Sequence, residues 1–335
     1  MLTAAVLIVA AGLIAVYLWM GKAAQQSGES AGPLESITLG LAMQPSDALT
    51  MIAINQGYFA AQGLDVTVKQ YPSGKRALVD GLFAGEVEIA TTADMPAAIA
   101  ALDGQDFRII ASIFNADNVN RIVARRDAGI AAPSDLKGKR IATQRASAVH
   151  YFLHLFLLEH GIARDDVAIS FMTAEELAPA LAAGSIDAFA MREPYISEAR
   201  ALLQGNAVVF EAPGIYRQAE LVVASSQLIA QRPHVLPAVL QALMSAEDYA
   251  MRNPADAMTI TARYLGIGMG KIEAAWPTLQ LRVALDQALL IVLESQARWA
   301  IREGVRPAGQ SPNFLDHFYL DSLLQVKPQA MTIIR

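Results

Sequence analysis

Cysteine is absent from all 335 residues. That excludes disulfides, a thiolate nucleophile, cysteine-ligated zinc or iron–sulfur centres, and a lipid-modified N-terminal cysteine. Charge is sparse as well: Asp, Glu, Lys and Arg make up 17% of the chain, with a formal net charge of -6. Such a balance argues against nucleic acid as a partner, because phosphate binding needs a clustered basic surface. The one tight basic group, Arg121, Arg125 and Arg126, reads as a solvated strand end. Hydrophobic residues reach 54%, too many for a disordered chain. The length exceeds one ordinary core and suits two joined lobes.

An uninterrupted apolar or small run occupies residues 2–20, followed by Gly21-Lys22. About nineteen residues rising roughly 1.5 Å each just span a bilayer core of about 30 Å. Residues 1–24 therefore read as a signal sequence or transmembrane anchor. An uncleaved anchor is favoured, since no charged segment precedes the run and Gly21-Lys22-Ala23 is a mediocre cleavage site. Lys22 is a weak vote against export of the residues beyond it. Residues 25–34, rich in Gln, Ser, Gly and Pro, read as a linker.

Beyond the linker the sequence repeats itself. From Ile37 a short apolar strand leads to the polar turn Gln44-Pro45-Ser46-Asp47, an apolar helix ending at Gly63, a strand over 64–68 and a further helix that closes on Leu82-Phe83-Ala84-Gly85-Glu86-Val87-Glu88-Ile89. From Arg140 the order returns: strand, the polar turn Gln144-Arg145-Ala146-Ser147, a helix ending at Gly161, a strand over 167–171 and a helix closing on Leu181-Ala182-Ala183-Gly184-Ser185-Ile186-Asp187-Ala188. Gly85 and Glu88 fall opposite Gly184 and Asp187. Two similar α/β units imply two lobes, and two lobes imply a cleft. After a strand near 221–224, residues 233–251, 254–265, 271–279 and 280–303 carry apolar residues at helical spacing and predict a helical tail that covers the first lobe.

The segment Asn55-Gln56-Gly57-Tyr58-Phe59-Ala60-Ala61-Gln62-Gly63-Leu64-Asp65-Val66 resembles one found in periplasmic solute-binding proteins of ABC importers, in the nitrate, sulfonate, taurine and thiamine-pyrimidine group. Asp94-Met95-Pro96, Asp135-Leu136-Lys137-Gly138-Lys139-Arg140, His150-Tyr151 and Glu193-Pro194 extend the likeness, which runs over about 37–328. Ser147-Ala148-Val149-His150-Tyr151 is similar to a stretch of taurine binders, whereas Arg192-Glu193-Pro194 departs from the usual tryptophan-containing pattern. The resemblance implies a type II periplasmic-binding fold, an α/β architecture of two lobes with a cleft and a hinge. Lobe 1 is expected over 35–124 plus 221–330 and lobe 2 over 125–220, with the chain crossing near 124–126 and 218–222. It also implies a receptor on the periplasmic side of the inner membrane, anchored by residues 2–20 or released after cleavage, and working with the permease and ATPase subunits of an importer.

The residues themselves fit a site of this kind. Each repeat sets a polar turn between the carboxyl end of a strand and the amino end of a helix, where free N–H groups and the helix dipole meet. An anionic or dipolar small molecule suits such a place, although Ser46, Asp47, Ser73 and Ser147 are equally suited to capping their own helices. One helix end supplies roughly 0.3–2 kcal/mol, against the 8 or so that micromolar binding requires. Side chains must supply the rest. Arg145, Arg192 and Arg217 are candidate anion partners, Glu193 a candidate for an amine, and Tyr71, Tyr151, Tyr195 and Tyr216 candidate walls. The expected ligand set is Gln44, Ser46, Ser73, Gly74, Thr92, Asp94, Gln144, Arg145, Ser147, His150, Glu193, Tyr195 and Arg217, with no cofactor and no catalytic group.

Sharper motifs carry less. His150 and His154 stand at a metal-compatible spacing without a third ligand, so no metal is expected. Gly266-Ile267-Gly268-Met269-Gly270 follows a helical segment and reads as an interhelix turn. Three functions remain on these grounds: an importer's receptor for a small anion or zwitterion such as a sulfonate, taurine or nitrate; an anchored ligand sensor, or a receptor for a pyrimidine or flavin precursor; and an enzyme related to pyrimidine synthases, which a chain without cysteine does not match.

Overall fold

The computed structural model describes residues 34–307 and 309–334. The predicted anchor and most of the predicted linker lie outside the described residues. Among the described residues, no helix is long and apolar enough to cross a membrane.

Two mixed sheets organise the chain. The first runs in the order β11 (Gln280–Ala284), β4 (Arg108–Ala116), β10 (Gln218–Ala224), β3 (Ile89–Ala93), β1 (Glu35–Ala42), β2 (Leu64–Tyr71). The second runs β7 (Ala168–Phe171), β6 (Arg140–Thr143), β8 (Ala188–Met191), β5 (Arg121–Arg125), β9 (Ala207–Phe210). β1 is parallel to β3, and β6 is parallel to both β7 and β8. β10 and β5 are the antiparallel members beside β3 and β8 respectively. The two sheets thus share one order of strands, second, first, third, then an antiparallel neighbour, as the repeated sequence predicts. β10 and β8 are buried throughout; the apolar run of β8 and the Leu221–Ala224 half of β10 suit strands covered on both faces.

The repeated residues do the same work in both sheets. Gly85 and Gly184 each end a helical segment at φ 73°, a left-handed conformation that favours glycine. Three residues on, Glu88 accepts the backbone N–H of Thr38 at 3.1 Å, and Asp187 accepts that of Arg140 at 2.9 Å. Each carboxylate thereby pins the parallel neighbour at its entry. Each also holds an arginine, Arg232 on Glu88 and Arg140 on Asp187.

The largest core gathers around the first sheet, where Ile37, Leu39 and Leu41 alternate inward from β1 and meet Leu49, Met51 and Ile52 of the helix Ala48–Asn55. The predicted tail covers it: helix Val235–Arg252 buries Leu236, Val239, Leu240 and Leu243 against the same core. The tail departs from expectation at 280–284, which forms β11 at the sheet edge rather than the start of a helix. There Val283 faces inward and donates its N–H to the buried Glu247 at 2.8 Å, while Arg282 turns out. Lys327 then neutralises Glu247 at 2.8 Å.

The chain passes between the sheets within 117–120 and returns within 211–217. β5, assigned from sequence to lobe 1 and the crossing, instead pairs with β8 and β9 in the second sheet, and Gln218, Ala219 and Glu220 already pair with β3 and β4 in the first. Backbone pairing decides membership here, and it starts several residues before the apolar pattern changes.

Candidate functional site

Five strands end on a common cleft. The turns that leave β1, β2 and β3 bring Gln44, then Ser73, Gly74 and Lys75, then Ala93 and Pro96; the turns that leave β6 and β8 bring Gln144 through Ala148 and Arg192. Gln218, at the start of β10, completes a cavity of about 670 Å³. This is the crevice at the carboxyl ends of parallel strands where α/β proteins hold ligands. Lys75, Arg145 and Arg192 give it three positive charges, and among the described residues no carboxylate lines it. Helix Ala148–Glu159 points its amino end the same way, adding a partial positive charge.

The three cations are not equivalent. Lys75 and Arg145 are solvent-exposed, and Arg145 lies over the Phe171 ring at 5.5 Å. Arg192 is half-buried, and desolvation pulls its pKa down. A guanidinium keeps its charge even so. Its Nη2 donates to Gln44 Oε1 at 3.4 Å, joining the second sheet to the first. Gln44 passes the contact inward, donating Nε2 to Glu220 Oε2 at 2.9 Å, and Ser46 Oγ donates to the same oxygen at 2.9 Å.

Beneath that layer lie two buried carboxyls. Glu220 and Asp47 are both wholly removed from solvent, and Glu220 Oε1 and both Asp47 oxygens lack hydrogen-bond partners. Desolvation drives the Glu220 pKa up to about 8, with the Ser46 hydrogen bond and the Arg192 charge pulling the other way. Asp47 is raised by desolvation and by Glu220 beside it. Glu220 is therefore mostly neutral at pH 7 and does not cancel Arg192. On the far side of the Arg192–Gln44 contact a second opening of about 440 Å³ is lined by Ser46, Phe114, Val119, Glu193 and Leu279.

Gly74 sits where no side chain fits. A Cβ there would lie 2.6 Å from the Thr92 Cα, which is backbone and cannot swing aside. Gly74→Ala is expected to push the Ser73–Lys75 turn off β3 at a cost of about 1–3 kcal/mol. Thermal unfolding should show a midpoint lower by several degrees; an unchanged midpoint would mean the turn is free to shift.

A family model described as NMT1/THI5 like matches residues 44–257, well over half of the chain. The chain belongs to this family. Among relatives, a Brucella abortus (strain 2308) protein named as a candidate binding protein is 24% identical over 229 residues, 68% of this chain and 70% of that protein. Candidate aliphatic sulfonates-binding proteins are 26% identical in Escherichia coli (strain K12), over 54% of this chain and 60% of theirs, and 28% identical in Bacillus subtilis (strain 168), over 59% and 62%. The periplasmic aliphatic sulphonate binding protein SsuA of Escherichia coli matches with a TM-score of 0.74 at 18% identity, covering 85% of this chain and 92% of that one. The desulfurization enzyme DSZB shares the fold at a TM-score of 0.61 and 18% identity, over 88% and 99%. These structural likenesses establish a periplasmic-binding-protein-like fold for this NMT1/THI5-like chain.

Of the sequence-predicted residues, Gln44, Ser73, Gly74, Gln144, Arg145 and Ser147 meet in the cleft, and Ser46 and Glu193 line the second opening. Ser73 and Ser147 also cap their helices, accepting the N–H groups of Arg76 and His150 at 3.4 Å. The others lie elsewhere. Thr92 is buried under Gly74. Asp94 is buried as a cross-link, accepting from Tyr216 Oη at 2.6 Å and the Ala219 N–H at 3.0 Å, and desolvation lifts its pKa to about 6. His150 turns to a separate cavity beside Trp299, where burial drops its pKa to about 4. Tyr195 donates to Glu175, and Arg217 faces out onto Asn115 and Asp286. Lys75 and Gln218 were missed from the ligand set, although Lys75 directly follows the Ser73-Gly74 turn.

Proposed function

We propose that the chain is an extracytoplasmic solute-binding receptor of an ABC importer and captures a small organic anion, a sulfonate foremost, between lobes built on its two sheets. The observation that carries this is the cleft itself: five strand-end turns, three cations and no lining carboxylate among the described residues. Two relatives named for aliphatic sulfonates and a neighbour named as the ligand-binding component of an import system from Staphylococcus aureus support it. A lobe 1 built on the first sheet, from residues before about 117 and after about 217, and a lobe 2 built on the second sheet between them are the units that would close, with closure favoured by ligand contacts made to both. Periplasmic placement, attachment through residues 2–20, and docking on permease and ATPase subunits belong to the same reading.

An enzymatic reading draws on DSZB, but the cleft hydroxyls are committed. Ser147 Oγ donates to the Gln144 carbonyl at 2.6 Å and accepts from its own helix, and Ser73 Oγ accepts from Arg76. No base is hydrogen-bonded to either hydroxyl among these contacts, so binding without turnover is the expected behaviour.

Purified full-length protein should melt higher with alkanesulfonates than with taurine, nitrate, hydroxymethylpyrimidine or riboflavin. At one hundred times its dissociation constant a ligand adds about 2.7 kcal/mol, which raises the midpoint by several degrees. A shift confined to pyrimidines or flavins, or conversion of the sulfonate to product, would overturn the proposal.

A further inference from the structure

The two histidines four residues apart on helix Ala148–Glu159 meet a matching pair from another helix. His150 and His154 lie one turn apart, and so do Trp299, in the last turn of helix Gln287–Arg302, and Glu303, whose N–H closes that turn onto the Trp299 carbonyl at 2.9 Å. The pairs meet in order. The Trp299 and His150 rings stand nearly perpendicular with centroids 4.9 Å apart, and Glu303 Oε1 lies 3.9 Å from His154 Nδ1. With Leu157, Ile162 and Arg164, and with Ile169 from β7, these four enclose a cavity of about 450 Å³, within the size range of small-molecule sites. It shares no lining residue with the cleft.

The polar groups of this cavity define what it can hold. Trp299 is 2% exposed, and its Nε1–H is buried with no hydrogen-bond partner. Buried donors are almost always paired, so an unpaired one on a residue that lines a cavity calls for an acceptor from outside the chain. His150 adds a second donor: its Nδ1 accepts the Ala146 N–H at 3.3 Å, which leaves the hydrogen on Nε2. His154 Nε2 is taken by Arg302 Nη2 at 2.8 Å, and among the described residues no group of three His, Cys, Asp or Glu can hold a metal. The occupant must therefore accept hydrogen bonds, which neither an ammonium nor a plain hydrocarbon does. An anion is disfavoured too, because the Glu303 carboxylate opens on the same space and the balancing charge of Arg164 is exposed to water. The rest of the lining is rings and aliphatic chains, which suit a flat aromatic body. We propose that this cavity is a second ligand site, distinct from the cleft, for a small neutral aromatic compound bearing a carbonyl oxygen, with that oxygen on the Trp299 Nε1–H. An aromatic amide fits further, since its NH2 group can donate to Glu303. Nothing in this site depends on a sulfonate occupying the cleft.

The test follows the indole N–H resonances of isotope-labelled full-length protein during titration with benzamide, benzoate and toluene. The chain has three tryptophans, and Trp299→Phe identifies the signal of interest; should that variant not fold, Trp276→Phe and Trp19→Phe identify it by elimination. Benzamide is expected to move the Trp299 signal downfield and to saturate. Toluene has no acceptor, so it should bind about three- to tenfold more weakly, the range that one hydrogen bond supplies, and give no downfield shift. Benzoate brings a charge toward Glu303 and should bind about tenfold or more weakly than benzamide. Arg192→Ala, altered only in the cleft, should take benzamide as the parent does. A Trp299 signal that benzamide leaves in place, a response lost in Arg192→Ala, or toluene or benzoate binding as tightly as benzamide would overturn the site.

Discussion

Arg192→Ala is expected to raise the dissociation constant for an alkanesulfonate by about thirty- to a thousand-fold while leaving the fold intact. A charge-assisted hydrogen bond contributes roughly 1.5–3 kcal/mol, and two unit charges 4 Å apart near a protein surface interact by about 4 kcal/mol. Lys75 and Arg145 are exposed, and pairs of that kind contribute about 0–1 kcal/mol. Their alanine variants should therefore lose less than about fivefold. Arg192 differs because it is half-buried where Lys75 and Arg145 are exposed, because it is held toward the first sheet by Gln44, and because the carboxyl behind Gln44 is mostly protonated at pH 7. Arg192→Lys keeps the charge and loses the planar fork, so it should fall between wild type and alanine. Titration calorimetry, with circular dichroism as a check on folding, reads all four variants. An Arg192→Ala constant within threefold of wild type would remove this residue from the site.

The sequence made the cleft legible at the level of backbone and far less so at the level of side chains. Apolar runs broken by polar turns located the ends of β1, β2 and β6, and the doubled Gly85/Glu88 and Gly184/Asp187 signature exposed the repeat because each glycine and carboxylate performs a local task. What a turn residue faces depends on packing from distant elements. Asp94 looked like a ligand residue, but Tyr216 and Ala219, brought in by the return crossing, claim its oxygens. Arg217 and Gln218 are neighbours on an extended segment, so their side chains point opposite ways, and Gln218 rather than Arg217 lines the cleft. His150 begins a helix whose first turn borders the cleft, yet Trp299 from a helix far along the chain draws its ring to the other side. The strand β11 was hidden because the alternation of Leu281 and Val283 is only a few residues long and runs directly into the helical spacing of 287–302.

Glu220→Gln is expected to stabilise the protein at pH 8 by about 3 kcal/mol and to flatten its dependence on pH. The unfolded chain releases the Glu220 proton near 4.5, whereas the native carboxyl keeps it to about 8. Between those values the native state binds more protons than the unfolded state, so stability falls as pH rises, with a ceiling of roughly 5 kcal/mol for a group shifted this far. Below 4.5 both states are protonated, and above 8 both are ionised, so the slope should be confined to that window. Glutamine removes the titration but keeps an oxygen that accepts from Ser46 and Gln44, and its amide brings donors beside Asp47, whose oxygens have no partner. The substitution also deletes the buried carboxyl whose charge acts on Arg192, so sulfonate affinity in the variant should stay constant from pH 6 to 9, where the wild type weakens as Glu220 ionises and competes for the guanidinium. Chemical denaturation at pH 5, 7 and 8 gives the stabilities, and calorimetry across the same range gives the affinities. A variant that is less stable than wild type at pH 8, or that keeps the wild-type slope, would show that the cost of burying this carboxyl is met by a charged Glu220–Arg192 pair rather than by a proton.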